Sequence, residues 1–544
     1  MLTLTSLFAS VLEGRSGSIA LRRKRHGIWE EMTWSALGAR VAEFADAVRK
    51  AGVGKGGRVA ILAENGPDWV AAELATIEVG AAVVACYLDS TDADLRNLLT
   101  QTQPQLVFVG DSACEQRAAR VFASAERLSF DRVTAAGSTR PPIPCSAVQP
   151  RDIALITSSV GTSGGGSLVR LSHANLLAAA DALKARLSMS PSDEVCSVLS
   201  LAHPAEQALT VVMPLLAGSR SNFPESMRTL STDLKEIEPT VLLGMPRLWE
   251  RFCLEYWMAI DSASGWRRRL LQPLAAGPGD AEIGALPHWR RFLVAAPLRR
   301  RLGLRRVRTA VSTGARLPER TSFAFASLGI KLQDGYSGAR MGGLVALGVA
   351  GESLGLLDGV EARVDADGRL QLRGPQVPGA ERGDWQDTGD LGSVDDDSLK
   401  VRARALAGAK ASDCAMAEVA LEASVYVRHA VVTAAQEEAA LAAVLCMEPI
   451  ALGHWANKQK IKFTDYASLI KNDAVVRLME DIVAKANASL ESDRRIRQYA
   501  LYENPLSVER NELTPILTLR YQRIYEWIAT RCVFSNVGAD PASN

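Results

Sequence analysis

The stretch Ile156-Thr157-Ser158-Ser159-Val160-Gly161-Thr162-Ser163-Gly164-Gly165-Gly166-Ser167-Leu168-Val169-Arg170-Leu171-Ser172-His173-Ala174-Asn175-Leu176 reads as the end of an apolar strand, a turn rich in glycines and hydroxyls, and the approach to a helix. The apolar run Ile153 to Ile156 leads in, and the helix-forming run Ala174 to Leu187 leads out. Glycines let backbone come close to an anion, hydroxyls donate to its oxygens, and a following helix N-terminus adds a favourable dipole. Such a turn suits phosphate. No Lys-Ser or Lys-Thr pair follows the glycines, so it is not a Walker loop. A Gly/Ser turn of this kind is equally compatible with an ordinary connection.

A chain of 544 residues exceeds what one core usually holds, so at least two domains are expected. Hydrophobic residues at 47% and charged residues at 23% suit a globular chain, and a net charge of +1 gives no reason to expect a nucleic-acid partner. The eight cysteines, scattered from Cys86 to Cys532, contain no C-x-x-C pair, which favours reduced thiols over disulfides or a zinc site. Met1 to Arg15 lacks a basic segment followed by a long apolar core, and no apolar run approaches the roughly 20 residues of a spanning helix. A cytoplasmic location is therefore expected, with attachment to the inner face of a membrane left open.

Outward from the turn, strand and helix patterns alternate. Ser35 to Ala51 has apolar residues at Leu37, Val41, Phe44, Ala45 and Val48 and a stop at Gly52, the helical period. Arg58 to Leu62 is a short strand candidate, Trp69 to Val79 a helix and Ala81 to Cys86 a strand. Alternation of this kind implies an α/β fold with a mostly parallel sheet. After Ala417 a smaller α/β unit is expected, with strands at Ala430 to Thr433 and Ala440 to Cys446 and a helix at Ala474 to Ala488.

The opening stretch resembles the signature loop of the AMP-forming adenylating enzymes, in particular the long-chain fatty acyl-CoA synthetases, T-S-G-T-T-G-x-P-K-G-V followed by L-S-H-x-N-L. Gly161, Thr162, Ser163 and Gly164 fit the first part and Leu171 to Leu176 the second, while the Pro-Lys of the family is Gly166-Ser167 here. Gly27-Ile28-Trp29 through Ala63 to Trp69 resembles the opening of that family. Pro239 to Glu250, PTVLLGMPRLWE, is similar to the long-chain members nearly letter for letter. The resemblance implies a large N-terminal adenylating-type domain, residues 1–402, with mixed or parallel sheets flanked by helices and a small β subdomain. It implies a small α+β C-terminal domain in residues 403–544.

It also implies site residues. Ser200-Leu201-Ala202-His203 looks like the segment whose His borders the acyl pocket, although His203 also reads as a core histidine. Gly314 and Ala315 fit the turn that lies along the purine. Asp334, Gly335 and Tyr336 fit the strand that offers an aromatic ring to adenine, and Asp390, in Asp387-Thr388-Gly389-Asp390, fits the carboxylate that accepts the ribose hydroxyls. Arg404 matches the hinge arginine. AMP or ATP is the implied nucleotide, and a fatty acid or acyl-adenylate the implied ligand.

Three catalytic elements depart from the family. The loop lysine is Ser167. The phosphate-binding Thr and the metal-binding Glu after Tyr336 are Ala339 and Arg340. The C-terminal lysine falls on Thr518, and the turn used in the thioester-forming pose is replaced by Gly408 to Ala415. These changes count against Mg²⁺ and CoA. ATP brings about four negative charges, and loss of one electrostatic stabiliser commonly costs about 10²–10³ in rate. Such losses need not multiply. The expectation is a catalytically impaired ligase homologue, a pseudoenzyme of lipid metabolism that keeps its AMP half-site. The alternative is an active fatty acid–CoA ligase in which the fork of Arg340 replaces metal and lysine.

Residues 266–306 interleave arginine with Trp and Leu, at Arg267 to Leu271, Trp289 to Leu293 and Leu298 to Leu302. Such segments can lie on an anionic membrane surface, meet a protein partner, or form the solvated face of ordinary helices.

Overall fold

The computed structural model describes residues 2–133, 148–159, 167–265, 288–315, 317, 319–350, 352–381, 383–404, 411–434, 441–491, 495–513 and 519–537. Local chemistry sets its elements. Helix Trp34–Lys50 starts where the Thr33 hydroxyl accepts the Ala36 N–H at 3.2 Å, buries Leu37, Val41, Phe44, Ala45 and Val48, and stops at Gly52, φ +73°. Strand Arg58–Leu62, helix Pro67–Glu78 and strand Ala82–Ala85 follow, within two residues of the ranges read from the pattern. Trp29 to Met32 lies in strand Ile28–Thr33, antiparallel to Ile19–Arg25.

Among the described residues these strands form three sheets. A six-stranded sheet is parallel except for its last pair, Ile153–Ser158 against Leu168–Ser172. A thirteen-stranded sheet has a parallel centre that includes Val241–Gly244, Thr309–Thr313 and Leu332–Gly338, and then turns antiparallel through Gly343–Gly348 toward Gln386–Asp395 and Ser398–Arg404. One continuous core joins the two sheets, with Phe44 edge-on to Phe108 and Phe130 at 5.1 and 5.5 Å. The expected α/β architecture is present.

A smaller four-stranded sheet carries Val427–Ala434, Leu441–Met447 and Ile496–Leu501, with helix Asp473–Ala488 on its own core. It meets the rest of the chain through ion pairs. Lys458 Nζ lies 2.7 Å from Asp261, and the nearly buried Arg520 lies 2.9 Å from Asp94.

The hairpin Ile153–Ser158 and Leu168–Ser172 departs from the sequence reading. Ile153 pairs with Ser172, Ile156 with Arg170 and Ser158 with Leu168, so a strand stands between the glycine-rich turn and the helix. Leu168-Val169-Arg170-Leu171 alternates enough to pair with an apolar neighbour, and its Val169 and Leu171 are buried. Helix His173–Leu187 therefore begins at the base of the hairpin, where the His173 N–H donates to the Asp152 carbonyl at 3.2 Å and the Ala174 N–H to Pro150 at 2.9 Å. Its N-terminal dipole sits on the order of 15 Å along the strand from the turn, too far to act on an anion there.

The basic segment also differs from its expected use. In helix His288–Arg301, Arg299 donates to the carbonyls of Leu304, Arg305 and Val307 at 3.2, 3.1 and 2.7 Å. It clamps the chain after the helix and is not a free surface charge. Arg300 and Arg301 are exposed, and residues 266–287 lie outside the described residues. Among the described residues no helix is long and apolar enough to cross a membrane.

Asn175 holds the hairpin to the antiparallel part of the large sheet. Ser172 and Asn175 form a capping box, and the Asn175 amide donates to the Pro375 carbonyl at 2.8 Å and to Glu381 at 3.0 Å. Asn175→Ala leaves the Ser172 hydroxyl on the backbone N–H but removes the reciprocal half of the box and the bonds to Pro375 and Glu381, so urea unfolding should show a loss of about 2–3 kcal/mol.

Candidate nucleotide site

Gly314, Ala315 and Asp334 to Tyr336 lie toward the C-terminal ends of two parallel strands, where open α/β sheets hold ligands, and Asp390 comes from the antiparallel strand Gln386–Asp395. Thr309–Thr313 runs parallel to Leu332–Gly338 with Ser312 opposite Asp334 and Thr313 opposite Gly335. Gly314 and Ala315 thus leave their strand beside Asp334, Gly335 and Tyr336. Gly314 has φ +94°, and a Cβ there would meet the Met245 methyl at 2.6 Å, so only glycine fits the turn. The Thr313 hydroxyl bonds the Ser337 hydroxyl and donates to the Gly335 carbonyl at 3.2 Å, fastening the two strand ends together.

The Tyr336 phenol donates to the Asp390 carboxylate at 2.7 Å. Asp390 follows a tight turn in which the Gly389 N–H donates to Asp387 at 2.8 Å and the Thr388 hydroxyl to the Leu370 carbonyl at 2.9 Å. The aromatic ring and the carboxylate, fifty-four residues apart, are thereby one unit. Arg404 is the cross-strand neighbour of Asp390 in the ladder.

Beyond Tyr336 the chain makes a short 3₁₀ turn at Ala339–Met341. From it the exposed Arg340 reaches the glycine-rich hairpin, donating from Nε to the Ser167 hydroxyl at 3.1 Å. Ser167 is fixed in turn: its N–H donates to the Ser159 hydroxyl at 3.1 Å, the two hydroxyls are 2.9 Å apart, and the Ser159 N–H donates to the Ser167 carbonyl at 2.8 Å. Two of the departed positions, Ser167 and Arg340, therefore bond each other, and the contact uses one of five guanidinium donors. A magnesium ion does not fit this turn. Hard divalent cations take oxygen ligands, whereas Ala339 and Arg340 supply a methyl and a cation. Among the described residues no three His, Cys, Asp or Glu side chains gather around a metal position.

His203 is buried and accepts the Ala205 N–H on Nδ1 at 3.2 Å, capping the short helix Pro204–Glu206. Burial pushes its ring down to about 4, so it is neutral at pH 7. Its segment joins the site at Gly343, φ +123°, where the strand beside Tyr336 lies against Ala205 and Pro204. Glu206, fully buried, accepts the Ser197 and Thr210 hydroxyls at 2.7 and 2.6 Å, and burial pushes it up to about 7. His173, of the S-H-x-N motif, accepts the Leu4 N–H at 3.3 Å, and burial pushes it down to about 4. Both histidines are thus held by backbone donors.

Gly161, Thr162, Ser163, Gly164 and Thr518 lie outside the described residues, as does the side chain of Arg404. The Ser159–Ser167 and Thr313–Ser337 pairs were not singled out by the sequence. Their signal is the run of hydroxyls on both flanks of a glycine turn, visible only once the strands are known to pair.

The sequence profile of the AMP-binding enzyme family matches residues 8–379. The chain belongs to the AMP-binding enzyme family. Among curated AMP-binding relatives it is 24% identical over 572 residues to the long-chain-fatty-acid–CoA ligase FadD15 of Mycobacterium bovis, covering 94% of this chain and 93% of that one. Among solved structures it is similar to the adenylation domain of a carboxylate reductase from Mycobacterium chelonae, with a TM-score of 0.74 at 20% identity over 97% of this chain and 90% of that one. A benzoate CoA ligase from Burkholderia xenovorans gives 0.71 at 17% over 96% and 100%. Those likenesses carry the two-part fold of AMP-binding enzymes, with its smaller C-terminal domain.

The neutral His203 has a pH signature. Its folded value lies below the ordinary 6.5, so its contribution is complete above pH 6.5 and is lost as pH falls toward 4, where the unfolded ring alone takes a proton. Compared with His203→Gln, the wild type should lose up to about 3 kcal/mol across that window in urea melts. Parallel curves would show an exposed or charged ring.

Proposed function

We propose that the protein is a long-chain acyl-CoA-synthetase-like protein that binds AMP or an acyl-adenylate and adenylates fatty acids poorly, if at all. The observation that carries this reading is the bond from Arg340 to Ser167. It puts one positive charge on the loop where the family uses a lysine and, nearby, a metal-binding carboxylate. One guanidinium meets a single α-phosphate well. It leaves the β- and γ-phosphates of ATP undercompensated by about two charges, the groups whose stabilisation dominates such chemistry. The Tyr336–Asp390 unit, by contrast, supports retention of the adenosine half.

The division at 402/403 belongs to this proposal. The strand Ser398–Arg404 stays in the large sheet and the small core takes residues of helix Ala411–Glu422, so the boundary is drawn two residues later, after Arg404. His203 is offered as a wall of the acyl pocket, acting by shape and neutrality, since its Nδ1 is already engaged. The rival reading, an active fatty acid–CoA ligase in which Arg340 does the work of metal and lysine, draws on the same contact. The two differ in turnover. ATP–pyrophosphate exchange with a panel of fatty acids should run at least 100-fold below an ordinary ligase. Turnover within tenfold of one, abolished by Arg340→Glu, would establish the rival.

For binding, calorimetry should find AMP held at least as tightly as Mg-ATP, with Asp390→Ala weakening AMP at least tenfold through loss of a charged acceptor. A clear preference for Mg-ATP contradicts the proposal. A cytoplasmic protein that touches an anionic membrane through residues 266–306 is its second part, supported by the exposed Arg300, Arg301, Arg305 and Arg306. Co-sedimentation with anionic vesicles should fall with salt and with Arg300→Glu plus Arg301→Glu. Arg299 is left intact in that test, because its substitution would loosen the fold.

A further inference from the structure

The hairpin that carries the glycine-rich turn has a second end. At its base and along its outer side lies a cleft of about 390 Å³, opening beside the starts of strands Arg58–Leu62 and Ala82–Ala85. Lys55, Arg58, Arg170 and Asp152 line it, with Ile156 as an apolar wall and Gln103 at its margin.

The charges in the cleft do not cancel. Asp152 is matched by Lys55, 3.3 Å away, and also accepts the Gln149 N–H at 2.9 Å, an arrangement that holds its carboxyl below the ordinary range despite burial. Arg58 and Arg170 are then left over. Neither has a carboxylate partner among the described residues. Arg58 Nε is enclosed by protein without a hydrogen-bond partner, and its Nη1 makes only a long contact, 3.4 Å, to the Gly56 carbonyl. An enclosed guanidinium nitrogen with no acceptor is costly unless something supplies one. Arg170 is exposed on the same wall, cross-strand from Ile156.

We propose that this cleft is an anion site for a compact phosphate-bearing small molecule, separate from the nucleotide site. Two guanidinium forks on one concave surface match the oxygens of a phosphoryl dianion in charge and geometry. Its position adds a consequence: Arg170 stands two positions from Leu168, where the hairpin pairs end, so an anion held there touches the strand that leads to Ser167 and Arg340.

The experiment is calorimetric titration of the full chain with inorganic phosphate in a phosphate-free buffer, alongside thermal melts at the same concentrations. Wild-type protein should take up phosphate saturably, one per chain, and melt at a higher temperature with it. Arg170→Ala, a change at an exposed position that leaves the core untouched, should weaken binding at least tenfold and remove the thermal shift. Arg58→Gln should weaken binding at least tenfold, and Arg340→Ala should leave it unchanged. The proposal is overturned if wild-type protein shows no saturable uptake, or if Arg170→Ala binds as the wild type does. It is also overturned if Arg340→Ala alone abolishes binding, since the phosphate then sits on the nucleotide loop.

Discussion

A polyphosphate can be held only where its negative charge is met, and in the proposed function the cation that meets it, among the described residues, is the guanidinium of Arg340 resting on Ser167. A guanidinium differs in kind from a lysine plus a metal ion. It is a single delocalised charge with planar donors, suited to two oxygens of one phosphate. It cannot polarise and bridge successive phosphoryl groups as a divalent ion does. In the proposed function, position and charge together therefore favour a monophosphate ester over a triphosphate. The pairing of the two altered positions also means that neither change is isolated: restoring a lysine at 167 alone would set two cations against each other.

That contact depends on scaffolding on both sides. The hairpin is closed by Ser159 and Ser167, capped into the following helix by Ser172 and Asn175, and tied by Asn175 to Pro375 and Glu381. The turn bearing Arg340 follows the strand whose Tyr336 is bonded to Asp390 and whose Ser337 is bonded to Thr313. Small residues make this assembly possible. Gly314 and Gly335 stand where a side chain would strike Met245 or Leu344, and Gly343 takes a φ of +123° that favours glycine. The glycines set how close the elements come, and the hydroxyls and carboxylates then fix their register.

Much of this was legible in the residues. Periodicity placed the strands and helices between Trp34 and Ala85 within two residues, because buried strands such as Ala82–Ala85 and amphipathic helices such as Trp34–Lys50 carry their burial pattern locally, whereas helix Leu4–Arg15 and strand Ile19–Arg25 were not read. The motifs around Gly314 and Tyr336 fell on neighbouring strands, and the Tyr336–Asp390 bond joins the third to them. The reading failed where local and tertiary signals compete. Leu168–Ser172 is too short to announce itself as a strand, and pairing with Ile153–Ser158 decided it. That shift moved the helix dipole away from the turn. Arg299 read as a membrane-facing charge because the three carbonyls of the loop after the helix that it bonds have no signature in sequence. The bond between positions 167 and 340, 173 residues apart, was likewise out of reach.

The most direct test rebuilds the family pattern in this scaffold. A variant with Ser167→Lys, Ala339→Thr, Arg340→Glu and Thr518→Lys is compared with the wild type in ATP–pyrophosphate exchange, with and without Mg²⁺. If Arg340 on Ser167 is what removed efficient adenylation, exchange should rise by about 100-fold or more and depend on Mg²⁺. A wild type that already exchanges at the rate of an ordinary ligase, with activity lost in the rebuilt variant, would contradict the account.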